Sequence, residues 1–260
     1  MQFNSISFLF YFLPLFLAVY YIIPQKARNA VLAVGSMVFY VAMDYDKLWW
    51  LGLLLAVTAV TWLIGKRLEE KGSRWLLAVS LSLLACLLVF FKCWDGGAHL
   101  PGGMSFYLFQ VSAYLVDVYR KKLTAQKNLI TYSAQVLMFP KLLSGPIVAP
   151  KKLQDQMEDP CNCGIPFRRG LQELILGLGL KVLLADRLGG LWSQAGIAGY
   201  ENISTPFAWM ALIAYAMRLY FDFYGYSLMA VGLGHMLGFH LPMNFLQPYS
   251  ARSVSEFYRR

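Results

Sequence analysis

Arg218 and Asp222 stand four residues apart in a long apolar segment that opens at Pro206, with Tyr215, Tyr220, Tyr224, Tyr226 and Ser227 around them. On a helix that spacing puts guanidinium and carboxylate on one face. An ionisable side chain deep in hydrocarbon costs about 2.5–3.5 kcal/mol on insertion scales, so each needs a partner or a role. Two readings follow: an intrahelical ion pair that lowers the cost, or a polar cavity lined by both residues and the tyrosines. Lys141, between Pro140 and Leu142, is a second such residue. It either snorkels to an interface or receives an anionic group such as the phosphate of a pantetheine-linked nucleotide. No nucleophile–base pair is legible. His99, His235 and His240 have no Glu or Cys at ligand spacing, and no Gly-x-Ser-x-Gly elbow or phosphate-cradling loop occurs. Gly234 and Gly238 read as a close helix contact.

Helices in a membrane must hold these side chains. The 260 residues are 58% hydrophobic and 14% charged, whereas soluble domains run nearer half and a quarter. Residues 1–25, Leu48–Gly65 and Trp75–Phe91 carry no charge. At about 1.5 Å per residue each crosses most of a core about 30 Å thick. No basic region precedes Phe8 and no small-x-small site follows, so the first apolar run reads as a permanent span rather than a cleaved leader. The expected spans are Ser7–Ile23, Asn29–Met43, Leu48–Gly65, Arg74–Phe91 and Met104–Tyr119.

Basic residues fall between alternate spans: Lys26 and Arg28, then Lys66, Arg67, Lys71 and Arg74, then Arg120, Lys121, Lys122 and Lys127. The other loops hold only Asp44, Asp46 and Lys47, or Lys92 and Asp95. The positive-inside rule puts the N-terminus and the 44–47 loop outside, and the 66–74 and 120–127 loops in the cytoplasm. The net charge of +9 thus marks orientation, and nucleic acid is excluded as a partner.

Beyond Lys127 the pattern changes. Leu129–Val148 is apolar but holds Pro140, Lys141, Gly145 and Pro146, between basic flanks. That predicts a re-entrant segment, tolerated where protein or a water-filled cavity surrounds it. Lys151–Pro166 is a polar loop. Phe167–Leu191 repeats Leu171, Leu174, Ile175, Leu178 and Val182 at helical spacing, with too many charges for a lipid-facing span. Pro206 opens a final helix reaching about Gly238. The expected architecture is all-α: one integral domain over 1–260, a polytopic transmembrane bundle with a re-entrant segment. Cys86 reads as an apolar filler and Cys93 as a span end. Cys161 and Cys163 are free thiols in a cytoplasmic loop, one residue apart and without a nearby histidine for zinc.

Five blocks carry a more specific signal: Gly103-Met-Ser-Phe-Tyr-Leu-Phe-Gln110, Tyr114-Leu-Val-Asp-Val-Tyr-Arg120, Phe139-Pro-Lys-Leu-Leu-Ser-Gly-Pro146, Gly179-Leu-Lys-Val-Leu-Leu-Ala-Asp186, and the stretch from Tyr220-Phe-Asp-Phe to Glu256-Phe-Tyr-Arg-Arg260. In this order they resemble the first half of a membrane-bound O-acyltransferase, of the bacterial branch that includes alginate O-acetylation and teichoic-acid D-alanylation proteins. Lys141 stands where relatives often carry glutamine, and Tyr258 where they often carry tryptophan.

The resemblance implies a bacterial inner-membrane, multi-pass enzyme that moves an acyl group, acetyl above all, to a hydroxyl of an extracytoplasmic polysaccharide or cell-wall polymer. The donor would be acyl-CoA or an acyl-carrier thioester acting as substrate, with no bound cofactor or metal. A secreted acyl-relay protein and membrane lipid are further expected partners. The family's essential histidines follow its Phe-Trp/Tyr-Arg-Arg element, here Phe257-Tyr-Arg-Arg260. None of the three histidines present matches them. The reading is therefore a chain truncated before that part, or else one piece of a split gene, and inactive alone, with no catalytic residue in 1–260. Its tunnel or donor-binding candidates are Arg218, Asp222, Lys141, Gln110, Asn244 and Tyr249. The alternative class is a non-catalytic channel or scaffold of an envelope-polymer machine.

Overall fold

The computed structural model describes residues 2–43, 48–93, 102–142, 145–158, 166–199 and 202–260. The 44–47 loop, Asp95, His99, Cys161 and Cys163 lie outside them. The described residues form helices, turns and irregular segments, with no strand among them. Among the described residues two helices, Leu48–Lys71 and Arg74–Cys93, are long and apolar enough to cross a membrane. The chain divides into two compact units, residues 1–164 and 165–260.

In the first unit a π-helical turn, Ser7–Phe12, leads into α1 (Leu13–Ile22). Ile23 is extended before Pro24, as pre-proline sterics demand. Then come α2 (Arg28–Met43), α3 (Leu48–Lys71), α4 (Arg74–Cys93) and α5 (Met104–Tyr119). Helix α3 outruns the expected span by six residues because charge ends an apolar run without ending a helix. Lys66 lies 3.7 Å over the Trp62 ring. The helix stops where Gly72, at φ +56°, donates its N–H to the Leu68 carbonyl at 2.9 Å.

Residues 129–148 are not one continuous helix, as their proline and glycine content required. α6 (Leu129–Leu137), capped by the Asn128 side chain, breaks at Met138 before a single turn, α7 (Phe139–Leu142). The buried Ser36 hydroxyl of α2 accepts the Phe139 N–H at 3.0 Å. Gly145 is packed so closely that a Cβ there would lie 2.3 Å from Lys141 Cα, so the chain folds back over α7. α8 (Pro150–Glu158) follows. Leu54, Leu68, Met104, Tyr107, Leu115 and Tyr132 form the buried core between α3, α5 and α6. A second cluster packs Phe3, Phe8 and Phe12 edge-on, and Phe39 tilted, against Phe139.

The second unit runs through α9 (Phe167–Gly179), a π-helical stretch (Leu180–Ala185), α10 (Asp186–Ala198), α11 (Thr205–Met236) and α12 (Val254–Arg259). The expected helix Phe167–Leu191 is thus continuous but carries a π stretch and extends to Ala198. Glycines set the approach of α9 to α11. A Cβ at Gly170 would fall 2.6 Å from the Gly232 carbonyl oxygen, and one at Gly177 2.6 Å from that of Gly225. Both pairs repeat every seven residues, the spacing of one helix face, and small residues at a seam let backbones meet.

The reading of Gly234 and Gly238 as a helix contact is corrected. Gly238, at φ +85°, ends α11. Phe239 N–H donates to the Gly234 carbonyl at 2.8 Å, and Gly238 N–H to that of His235 at 3.0 Å. This is a Schellman cap, and it needs glycine at the left-handed position.

Candidate functional site

Asp222 does not pair with Arg218. Its Oδ1 is bonded by the Lys181 ammonium of the π stretch, which also lies 3.5 Å from Asp186 Oδ1 at the start of α10. The glycine seam explains the choice. Gly225, three residues along α11 from Asp222, is where the Lys181 backbone comes closest: a Cβ there would lie 3.0 Å from Lys181 N. One cation between two carboxylates is then available, and the same-helix partner is not needed. Arg218 lies instead over Gly189 of α10, where a Cβ would sit 3.0 Å from its Nε. Tyr215, a turn away, packs on Trp192 with ring centroids 4.6 Å apart.

Aromatic rings border this cluster. Tyr220 stacks on Tyr224 at 5.5 Å and meets Tyr249 edge-on at 5.2 Å. The Tyr249 hydroxyl donates to the Ala216 carbonyl at 3.4 Å, with its ring more than half exposed. Asn244 is exposed nearby in the chain.

His235 occupies a different environment, 97% removed from solvent. Glu173 of α9 faces its Nδ1 and also accepts from Arg169 Nε at 3.2 Å. A carboxylate facing Nδ1 calls for an N–H at that nitrogen, so Nδ1 is the donor of this pair. Nε2 has no hydrogen-bond partner among the described residues. The His240 ring lies parallel to it, centroids 5.6 Å apart.

In the first unit Lys141 and Gln110, distant in sequence, line one cavity together with Tyr114, Tyr132 and Gln135. Its volume is about 10 Å³, near the room that one water requires. The tyrosine hydroxyls are committed elsewhere. Tyr132 bonds Thr61 at 3.0 Å, and Tyr114 accepts the Gln126 N–H at 3.0 Å. Gln135 Nε2 donates to the Pro150 carbonyl at 3.0 Å. The Oε1 atoms of Gln110 and Gln135 are buried without a partner among the described residues. Lys141 is itself buried, and none of the ion pairs among those residues includes it. This pocket offers two acceptors and one strong donor, chemistry that at this volume suits a single water molecule.

Two features escaped the sequence reading: the Lys181–Asp222–Asp186 set and the Glu173–His235 couple. The first carried a signal, since Lys181 and Asp186 both belong to the block Gly179–Asp186 and stand five apart, the π-helical repeat. The second had none, its members being 62 residues apart. Among the described residues no group of three or more His, Cys, Asp or Glu side chains is placed to hold a metal.

The described residues are thus helical and free of strands, with polar and ionisable side chains set among apolar helices. The chain belongs to the membrane-bound O-acyltransferase family, whose model matches residues 32–260. It is 38% identical to the "Probable alginate O-acetylase AlgI" of Azotobacter vinelandii, across 100% of this chain and 56% of that protein. Against the "Peptidoglycan O-acetyltransferase" of Helicobacter pylori the identity is 28%, over 99% and 58% respectively. The "Teichoic acid D-alanyltransferase" of Lacticaseibacillus rhamnosus is 30% identical over 57% of this chain and 39% of its own. The chain spans about half the length of the first two relatives.

Proposed function

We propose that the protein is a polytopic O-acyltransferase of the bacterial inner membrane that esterifies a hydroxyl of an extracytoplasmic polysaccharide or cell-wall polymer, with acetyl as the acyl group. The observation that carries this reading is the family match over residues 32–260. Relatives named for acetylating alginate and peptidoglycan, which align over essentially the whole chain, support it. The donor is an acyl-CoA or acyl-carrier thioester. The acceptor oxygen attacks the thioester carbonyl carbon, the C–S bond breaks, and the thiol leaves. A histidine base takes the hydroxyl proton. That base comes from the family's Trp-His step, and no such step lies within residues 1–260.

These residues contribute tunnel wall and donor-side contacts. Lys141 acts from the broken 129–148 segment, which enters the membrane and returns to the cytoplasmic side, and Gln110 from α5, which lines the same cavity. Arg218 and Asp222 act from α11, and Asn244 and Tyr249 from the stretch beyond it. A secreted acyl-relay protein is the alternative acceptor in place of the polymer itself.

Deleting the gene in its host and measuring base-labile acyl esters on envelope polymers by NMR tests this reading. The esters should vanish and return on complementation. Asp222→Ala, which leaves Lys181 with Asp186 alone, should restore fewer of them. Residues 1–260 expressed alone should restore none. Unchanged esters in the deletion strain would instead favour a non-catalytic envelope component.

A further inference from the structure

Helices α1 and α2 form a hairpin that does not close along its length. Between them runs an apolar groove of about 380 Å³, walled by Leu15, Phe16 and Val19 on one side and Val31, Val34 and Val38 on the other. Leu15, Val34 and Val38 are each more than half exposed. Gly35 shapes the floor: a Cβ there would fall 2.2 Å from the Phe16 ring, so the absence of a side chain lets that ring pack directly on α2.

One end of the groove is positively charged. Val19 and Val31 lie within three residues of Tyr20 and Arg28, and the Arg28 guanidinium stands 5.5 Å and 5.7 Å from the Tyr20 and Tyr21 ring centroids. Its Nε is buried without a hydrogen-bond partner among the described residues. Lys26 is exposed in the same turn, and the first turn of α2 holds no acidic residue to offset the helix dipole. Beside this turn a polar hollow of about 450 Å³ is lined by Lys26, Asn29, Gln126, Thr131 and Glu158. Its one carboxylate, Glu158, already accepts from Gln126 and Gln154, both at 3.1 Å.

We propose that the α1–α2 hairpin binds an anionic phospholipid, with an acyl chain in the groove and the phosphate on Arg28, Lys26 and the N-terminus of α2. Charge complementarity chooses the occupant. A nearly all-apolar trough suits hydrocarbon, and two cations at its cytoplasmic end suit a phosphodiester, which helix N-termini also favour. The tyrosines beside Arg28 hold its guanidinium at headgroup level, where aromatic rings concentrate. The proposal rests on the reading of α1 and α2 as membrane spans.

Native mass spectrometry of the purified protein, with phosphatidylglycerol and phosphatidylcholine offered in equal amounts, is the test. Two basic side chains should give phosphatidylglycerol a preference on the order of tenfold. Combining Lys26→Gln with Arg28→Gln should abolish the preference, while Arg28→Lys keeps it. Val34→Trp, which fills the groove from its exposed wall, should lower retention of both lipids. Glycerol 3-phosphate should not compete. Equal retention of the two lipids, indifference to the double substitution, or displacement by glycerol 3-phosphate would each overturn the lipid site. Impermeant-thiol labelling at Val34→Cys, with the four native cysteines changed to serine, separates the two levels. Labelling in intact membranes overturns the spanning reading itself. Protection together with lost lipid selectivity overturns the lipid site alone.

Discussion

The two units bury polar groups in different ways. In residues 1–164 the interior is aliphatic and aromatic, and its polar groups are neutral: Thr61 with Tyr132, Ser36 with the Phe139 N–H, and Tyr114 with Gln126. Lys141 is the exception. In residues 165–260 the helices meet through glycine backbones and through partnered carboxylates, Asp222 with Lys181 and Glu173 with His235. Neutral hydrogen bonds within an apolar core can be lost singly at modest cost. A seam with no side chains to yield, crossed by ionised groups, is much less forgiving.

Glycine substitutions should show this contrast at its largest. Gly177→Val drives a side chain into the Gly225 backbone and should destabilise by about 3 kcal/mol or more, since overpacking here must separate two helices. Thermal unfolding in detergent, followed by size-exclusion fluorescence, would register little folded protein. At Gly52 of α3 a Cβ would meet nothing within 4 Å. Gly52→Ala should therefore be neutral or stabilising by up to about 1 kcal/mol.

Next is the buried couple. Glu173→Leu leaves His235 with no partner at either nitrogen and should cost about 2–3 kcal/mol. Arg169→Leu, which removes the exposed partner of the same carboxylate, should cost less than about 1 kcal/mol. Equal losses would show that the His235 contact carries no special weight. In the first unit Tyr132→Phe should cost only about 1 kcal/mol, because Thr61 keeps its bond to the Val57 carbonyl at 2.7 Å.

The smallest effect concerns α12. The Arg252 N–H, and then the Arg260 guanidinium, hold the Glu256 carboxyl below its usual range. A depressed carboxyl contributes stability above its unfolded pKa and loses it as pH falls through the folded value. α12 should therefore fray only in acid, below the ordinary carboxylate range, and Glu256→Gln should remove that dependence. Hydrogen exchange at Phe257 and Arg260 N–H would follow both.

Residue type alone set much of the helical layout. Helix α5 spans the residues expected for it, and α11 ends within two residues of its expected limit. Both are bounded by glycine or proline chemistry that acts locally. The break in 129–148 was legible for the same reason. Ion pairing was not, because four-residue spacing tests only partners on one helix. The π stretch and the Gly225 contact bring Lys181 from another helix to Asp222. Glu173 and His235 meet only because glycines at positions 170 and 232 let α9 and α11 touch. The cavity at Lys141 joins Gln110 and Gln135 across three helices, and hydropathy carries no trace of it.

Acyl transfer itself is best tested in inverted membrane vesicles from the host with its gene intact, rather than with residues 1–260 expressed alone, given a radiolabelled acetyl thioester on the cytoplasmic side and the host's envelope polymer within. The account predicts label on the polymer that hydroxylamine releases as an ester, and less of it with Asp222→Ala. Polymer that stays unlabelled while the protein is intact and the donor remains available would contradict it.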